Sequence, residues 1–165
     1  MQYHSGDKYA TPSTEAKAAE YNVRGFPSMY LNGGNLIIGG SDASYVQQKA
    51  VIDRELAKTP VVAIASTMKT SGSISVSTTV TNTGASSISN AKLYVVLFED
   101  LGFDEHHYTV RDLPAPITVA GLAAGASQQF NISSAYNGTS ANLKAVVYLK
   151  AANGEVLQAA LSSKP

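Results

Sequence analysis

The chain contains no cysteine. That excludes disulfide bonds, zinc–thiolate centres and any thiol nucleophile supplied by these residues. It does not fix the compartment, since secreted bacterial proteins often lack cysteine too. An excess of either charge is also missing: 12 basic and 12 acidic side chains cancel. Without a long-range field, neither nucleic acid nor an anionic membrane surface is an expected partner. No apolar run approaches the roughly 20 residues needed to cross a bilayer. Met1-Gln2-Tyr3-His4 lacks the basic start and apolar core of a leader, a pattern that an exported chain with its leader removed also shows. The 44% hydrophobic content points to a globular protein rather than a disordered one.

A composition shift falls at Pro60. Before it, Thr14-Glu15-Ala16-Lys17-Ala18-Ala19-Glu20-Tyr21 is rich in helix formers, with Ser13 placed as N-cap after Pro12. A second helix is predicted from about Ala43 to Ala57, capped by Ser41 or Asp42, with Tyr45, Val46, Ala50, Val51, Ile52 and Leu56 as its apolar stripe. Lys58 near its end suits the helix dipole. Between them, Ser28-Met29-Tyr30-Leu31 and Leu36-Ile37-Ile38 flank Asn32-Gly33, a strong hairpin signal. Gln2-Tyr3-His4 reads as a further short strand.

From Val61 the helical pattern stops. Ile74, Val76, Thr78 and Val80 alternate with Ser75, Ser77, Thr79 and Thr81, the signature of a half-buried strand. Lys92-Leu93-Tyr94-Val95-Val96-Leu97-Phe98 is apolar on both faces. Further strands are predicted at 61–69, 108–111, 127–132, 143–150 and 156–161, with Ala152-Asn153-Gly154-Glu155 as the last turn. About seven short strands in about 100 residues indicate an immunoglobulin- or fibronectin-like sandwich. The Cys-Trp-Cys core of antibody domains is absent. The fold class is thus α+β, with residues 1–59 as an α/β segment and 60–165 as an antiparallel β-sandwich.

The helix Thr14–Tyr21, the loop Val23-x-Gly25-x-Pro27-Ser28, the Asn32-Gly33 hairpin and the final helix resemble the second half of a thioredoxin-fold domain. The resemblance implies a cis peptide before Pro27. It makes Phe26 and Pro27 a peptide-docking loop, in which the backbone of Phe26 would pair with a substrate chain. It also implies that the strand and helix carrying a Cys-x-x-Cys pair would precede Met1, so these residues alone are redox-inactive: the thiolate is the attacking species. His107-Tyr108-Thr109-Val110-Arg111-Asp112-Leu113-Pro114, Gly125-x-Ser127-x-x-Phe130 and Glu155-Val156-Leu157-Gln158-Ala159-Ala160 are similar to the C-terminal sandwich of exported bacterial cell-envelope proteins. That resemblance implies a periplasmic, outer-membrane-associated or extracellular location. A sheet lacking its first strand would expose an open edge, and residues 1–59 are expected to dimerise, swap elements or rearrange through it.

Other candidates read more plainly. Asp100, Asp104, Glu105, His106 and His107 share one loop, but adjacent histidines in a strand point to opposite faces and the spacing matches no metal motif. A solvated loop is expected there, and no metal or cofactor. His4 reads as a surface or packing histidine. No Gly-x-Ser-x-Gly elbow supports a serine hydrolase. Gly33-Gly34 and Gly39-Gly40 lack phosphate-loop spacing; the first pair reads as turn glycines and the second as a strand end before a helix cap. The sequons at Asn131 and Asn137 carry no weight. Tyr94, Val96 and Phe98 form the second apolar face of their strand. They are expected to pack against residues 1–59 or a loop, with a partner surface as the functional alternative. The function these readings favour is a redox-inactive fragment of an exported thioredoxin-like protein whose intact parent exchanges thiols and disulfides. The alternative is an adhesion or protein/glycan-binding module. A Cys-x-x-Cys upstream of Met1 would discriminate the two.

Overall fold

The computed structural model describes residues 1–102, 106–138 and 141–164. Helix α1 spans Pro12–Glu20. Its N-cap is Thr11, whose hydroxyl accepts from the backbone N–H of Thr14, while the Thr14 hydroxyl accepts from that of Thr11. The cap therefore sits two residues before Ser13. Pro12 has no N–H to lose at the first helical position, so the helix starts on the proline and the cap falls ahead of it. Strands β1 (Ser28–Leu31) and β2 (Gly34–Ile38) pair antiparallel, Met29 opposite Ile37 and Tyr30 opposite Leu36. Asn32 (φ 51°) and Gly33 (φ 77°) close the turn, both left-handed as a two-residue hairpin loop requires.

Helix α2 spans Asp42–Leu56 and is capped by Ser41, which accepts from Ser44 N–H. Its orientation corrects the expected apolar stripe. The side turned inward carries Ser44, Gln48, Val51 and Glu55, and Tyr45, Val46, Ile52 and Leu56 are exposed. The hairpin beneath α2 is only two strands wide, too narrow to cover the rest of the helix.

Eight further strands are described: β3 (Val62–Lys69), β4 (Ser75–Asn82), β5 (Ile88–Glu99), β6 (Thr109–Asp112), β7 (Ile117–Leu122), β8 (Ser127–Ser133), β9 (Leu143–Lys150) and β10 (Val156–Leu161). They form two antiparallel sheets, one ordered β10-β9-β5-β6 with β7 also on β5, the other β3-β4-β8. Strand β5 is the spine of the first sheet: its start pairs β7, its end pairs β6, and its other edge pairs β9. The two sheets share one apolar core that includes Val76 and Val80 from β4, Leu93, Val95 and Leu97 from β5, and Val147 and Leu149 from β9. The alternation along β4 holds, with Val76, Thr78 and Val80 inside. After β10 the chain crosses to the other sheet. Ser163 N–H donates to Ser66 O at 3.0 Å and its carbonyl accepts from Met68 N–H at 2.8 Å. That parallel bridge covers an edge of β3 that would otherwise offer unpaired backbone. The predicted first strand is reduced to Gln2, bridged in parallel to Thr109.

Candidate docking site

The loop between α1 and β1 is held from both sides. The Phe26–Pro27 peptide is cis. Ser28 Oγ donates to Gly25 O at 2.6 Å, and Gly39 N–H donates to Pro27 O at 2.9 Å. Gly40 lies against the Pro27 ring, so the start of α2 sits beside the loop. The Tyr30 hydroxyl donates to Tyr21 O at 2.6 Å and the two rings meet at 4.4 Å, tying the hairpin to the end of α1. This frame fixes Pro27 and leaves the Phe26 side chain in solvent at 68% exposure. Directly after it, β1 pairs with β2 on one edge; among the described residues its other edge has no strand partner.

The outer face of β5 is differently placed. Val96 and Phe98 are buried and Tyr94 is half-buried, so these three are not an open partner surface. Phe98 meets Tyr108 at 6.0 Å. Tyr94 stacks on Tyr148 of β9, directly opposite, with ring centroids 4.8 Å apart and 4° between planes. Lys17 of α1 reaches over them: its ammonium lies 5.0 Å from the Tyr94 centroid, 5.3 Å from Tyr21, and 2.8 Å from Glu20. Lys150 lies 5.5 Å from the Tyr21 ring. Burial, reinforced by Tyr21 and Glu20, pushes the Tyr3 phenol well above its ordinary value, and burial beside Tyr3, Tyr21, Tyr94 and Glu20 does the same to Tyr148. The sequence reading expected the face carrying Tyr94 to pack against residues 1–59 or a loop, and Lys17 of α1 lies over it; the parts played by Lys17 and Tyr148 were not visible in the sequence. A groove of about 360 Å³ opens beside it, lined by Glu20, Asn90, Lys92, Tyr94, Lys150 and Gly154 among others.

His106 and His107 lie in the loop ahead of β6 and turn to different partners. His107 Nδ1 lies 2.9 Å from Asp100 Oδ1, while His106 stacks on His4 (5.3 Å) and meets Tyr9 (4.8 Å). Asp104 and Glu105 of that loop lie outside the described residues. His4 is a packing residue with its Nδ1 2.6 Å from Asp7, whose carboxyl is held below its usual range chiefly by this bond. Among the described residues no group of three or more histidines and carboxylates is arranged to hold a metal ion, and no helix is long and apolar enough to cross a membrane. The Phe26–Pro27 loop offers backbone and an aromatic ring, which is chemistry for binding rather than for bond cleavage.

No family model matches the chain, and no curated protein matches it. Among solved structures, it superposes on HBP35 of Porphyromonas gingivalis with a TM-score of 0.72 at 14% identity, over 98% of this chain and 62% of that one. The fold is similar to that of HBP35. This chain thus spans less than two thirds of the length of HBP35. A domain of the outer membrane lipoprotein Omp28 from Porphyromonas gingivalis is more distant, with a TM-score of 0.45 at 13% identity over 65% of this chain and 90% of that domain.

Proposed function

We propose that this chain is a non-catalytic component of a bacterial cell envelope. In this reading residues 1–59 are a thioredoxin-like docking segment and residues 60–165 an immunoglobulin-like sandwich that positions it. The observation that carries the reading is the exposed Phe26 ahead of a fixed Pro27, leading into the open edge of β1. An extended peptide adds to such an edge through main-chain hydrogen bonds, and a neighbouring aromatic ring supplies apolar contact. The likeness to HBP35 supports the placement of α1, the hairpin and α2 ahead of two sheets. In a longer parent, a Cys-x-x-Cys pair facing this loop would exchange disulfides with the docked chain; these residues hold no thiol to do so.

Reduced, carboxymethylated α-lactalbumin, a permanently unfolded chain, is the test ligand. In an NMR titration it shifts the amides of residues 25–31, and Phe26→Ser weakens binding several-fold, whereas native α-lactalbumin leaves the spectrum unchanged. Absence of binding, or binding indifferent to Phe26→Ser, sinks the proposal. The glycan-binding alternative has less support. The groove beside Tyr94 has the polar lining a sugar needs, but Tyr148 and Lys17 already occupy the Tyr94 ring.

A further inference from the structure

Two lysines face each other across the first sheet with no carboxylate between them. Lys92 of β5 lies directly opposite Lys150 of β9. Both share the outer face with Tyr94 and Tyr148, two residues along each strand, while Leu93 and Leu149 turn into the core. Like charges directly opposite on an antiparallel pair destabilise it. Among the described residues neither ammonium forms an ion pair: Lys150 rests against the Tyr21 ring at 5.5 Å, and Lys92 is exposed. Both line the groove of about 360 Å³ beside the tyrosine stack. Glu20 brings a carboxylate to the same groove, but Lys17 already matches it at 2.8 Å. Lys92 and Lys150 thus remain as two unmatched positive charges on a chain whose charges cancel as a whole.

Two further features mark the place. Asn90, on the groove wall, interrupts the extended course of β5 with a φ of 53°. The strand keeps its register with β7 on either side, Ser89 against Gly121 and Ala91 against Val119. A left-handed residue inside a strand is uncommon, and such positions gather at functional sites. The Asn90 amide makes no hydrogen bond among the described residues, so both its N–H donors are open. The Lys150 stem, in turn, passes the interlocked β1–β2 and β9–β10 turns. Its Cε lies 3.6 Å and 3.8 Å from the positions a Cβ would take on Gly33 and Gly154. One ammonium is therefore held in place while the other is free to swing onto a ligand.

We propose that this groove binds a phosphomonoester, with Lys92 and Lys150 closing on the phosphate from two strands and the Asn90 amide donating to it. A phosphomonoester carries nearly two negative charges at neutral pH and three acceptor oxygens. That matches two ammoniums and one amide, whereas a carboxylate brings a single charge. Lysine supplies a compact charge with three rotatable donors, which suits a tetrahedral phosphate. No aromatic platform is needed, so the occupied ring of Tyr94 is no obstacle. The volume is at the small end for a ligand site and admits one sugar-sized group beside the phosphate. A soluble sugar phosphate and a lipid headgroup both present this chemistry. The groove shares no residue with the Phe26–Pro27 loop, so either reading survives the loss of the other.

Glucose 6-phosphate, titrated at constant ionic strength, is expected to shift the amides of Asn90, Lys92 and residues 150–152 with a millimolar midpoint, and glucose to leave them in place. Lys92→Gln weakens binding roughly tenfold, as loss of a hydrogen bond to a charged group does. Asn90→Gly weakens it less and keeps the left-handed backbone. Lys69→Gln, the same change of charge at an exposed position on the other sheet, has no effect. Lys92→Glu converts the opposed lysines into an ion pair, so it raises the thermal transition in phosphate-free buffer while abolishing binding. Sedimentation with phosphatidylcholine vesicles containing phosphatidic acid separates the two sources: pelleting assigns a headgroup, and amide shifts without pelleting assign a soluble phosphate. If neither glucose 6-phosphate nor these vesicles bind, the proposal is overturned. Binding that Lys92→Gln leaves unchanged, or that Lys69→Gln weakens as much, overturns it equally.

Discussion

Gly33, at the tip of the β1–β2 hairpin, meets Gly154, in the β9–β10 turn, backbone to backbone. A Cβ added to Gly33 would overlap the carbonyl oxygen of Gly154. Two turns from opposite ends of the chain interlock here, and Lys58 seals the joint with ion pairs to Glu55 at 2.6 Å and Glu155 at 2.7 Å. Gly72 offers an internal control: its φ of 79° matches the 77° of Gly33, but no atom lies within 4 Å of the position its Cβ would take. Alanine at Gly72 therefore carries only the left-handed backbone penalty, about 1 kcal/mol. Gly33→Ala carries that penalty plus the collision. It is expected to speed amide hydrogen exchange across β1 and β2 by tenfold or more, while Gly72→Ala leaves that hairpin unchanged. Equal exchange in the two variants would show that the hairpin does not lean on the β9–β10 turn.

The Asn32-Gly33 hairpin was legible because its turn chemistry is local. The contact with Gly154 was not, since it depends on a neighbour more than a hundred residues away. The same division runs through the chain. The alternation along β4 identifies its buried face directly. Strand β7 escaped notice because Gly121 and the prolines at 114 and 116 disguise a segment whose Val119 and Leu122 are core residues. The apolar residues of α2 were legible, but their exposure was not: periodicity reports which residues share a face, not whether anything covers it. Phe26 and Pro27 were singled out only through a resemblance, whereas the joint of Tyr94, Tyr148 and Lys17 required two strands and a helix to be brought together.

That joint predicts an alkaline limit to stability. Tyr3 and Tyr148 have phenols raised in the folded state, chiefly by burial. Above the ordinary phenol value of about 10 the unfolded chain loses these protons while the folded chain keeps them. Stability is therefore intact below that pH and falls as pH rises further. Absorbance at 295 nm should show tyrosines ionising in a normal step and a later group that appears only with unfolding. Tyr148→Phe should remove part of the late step. A single step with all phenols titrating together before unfolding would contradict the burial of this cluster.

Lys17 binds α1 to the same cluster through its charge and through its stem. Its side chain is only 11% exposed, with Tyr94, Tyr21 and Glu20 around the ammonium. Lys17→Met retains most of the packing and loses the cation–π contacts, for which about 0.5–2 kcal/mol is expected. Lys17→Ala loses both and should cost more. Faster hydrogen exchange in α1, with the core strands β4 and β5 unaffected, is the outcome that checks it. An undisturbed α1 in Lys17→Ala would mean that the helix is held by its cap and the Tyr21–Tyr30 contact alone.

Asn82, at the end of β4, is fully buried and satisfies three backbone groups. Its amide nitrogen donates to Ser86 O at 2.9 Å and to Leu122 O at 3.0 Å, and its side-chain oxygen accepts from Gly84 N–H at 3.0 Å. These bonds fasten the β4–β5 connection to the end of β7, where the chain passes between sheets. Asn82→Ala leaves all three groups without their partner and is expected to cost about 2–3 kcal/mol in urea unfolding. Asn82→Asp is the sharper probe, because it preserves shape and the acceptor but removes both donors. As a buried carboxylate it faces two carbonyl oxygens, which disfavours the charged form and raises its folded pKa. The folded state then holds a proton that the unfolded state has released, so the Asp variant gains stability as pH falls from 8 toward 5, relative to the native chain at each pH. A pH-independent difference between the two proteins would show that position 82 is wet and that the inter-sheet passage is fastened elsewhere.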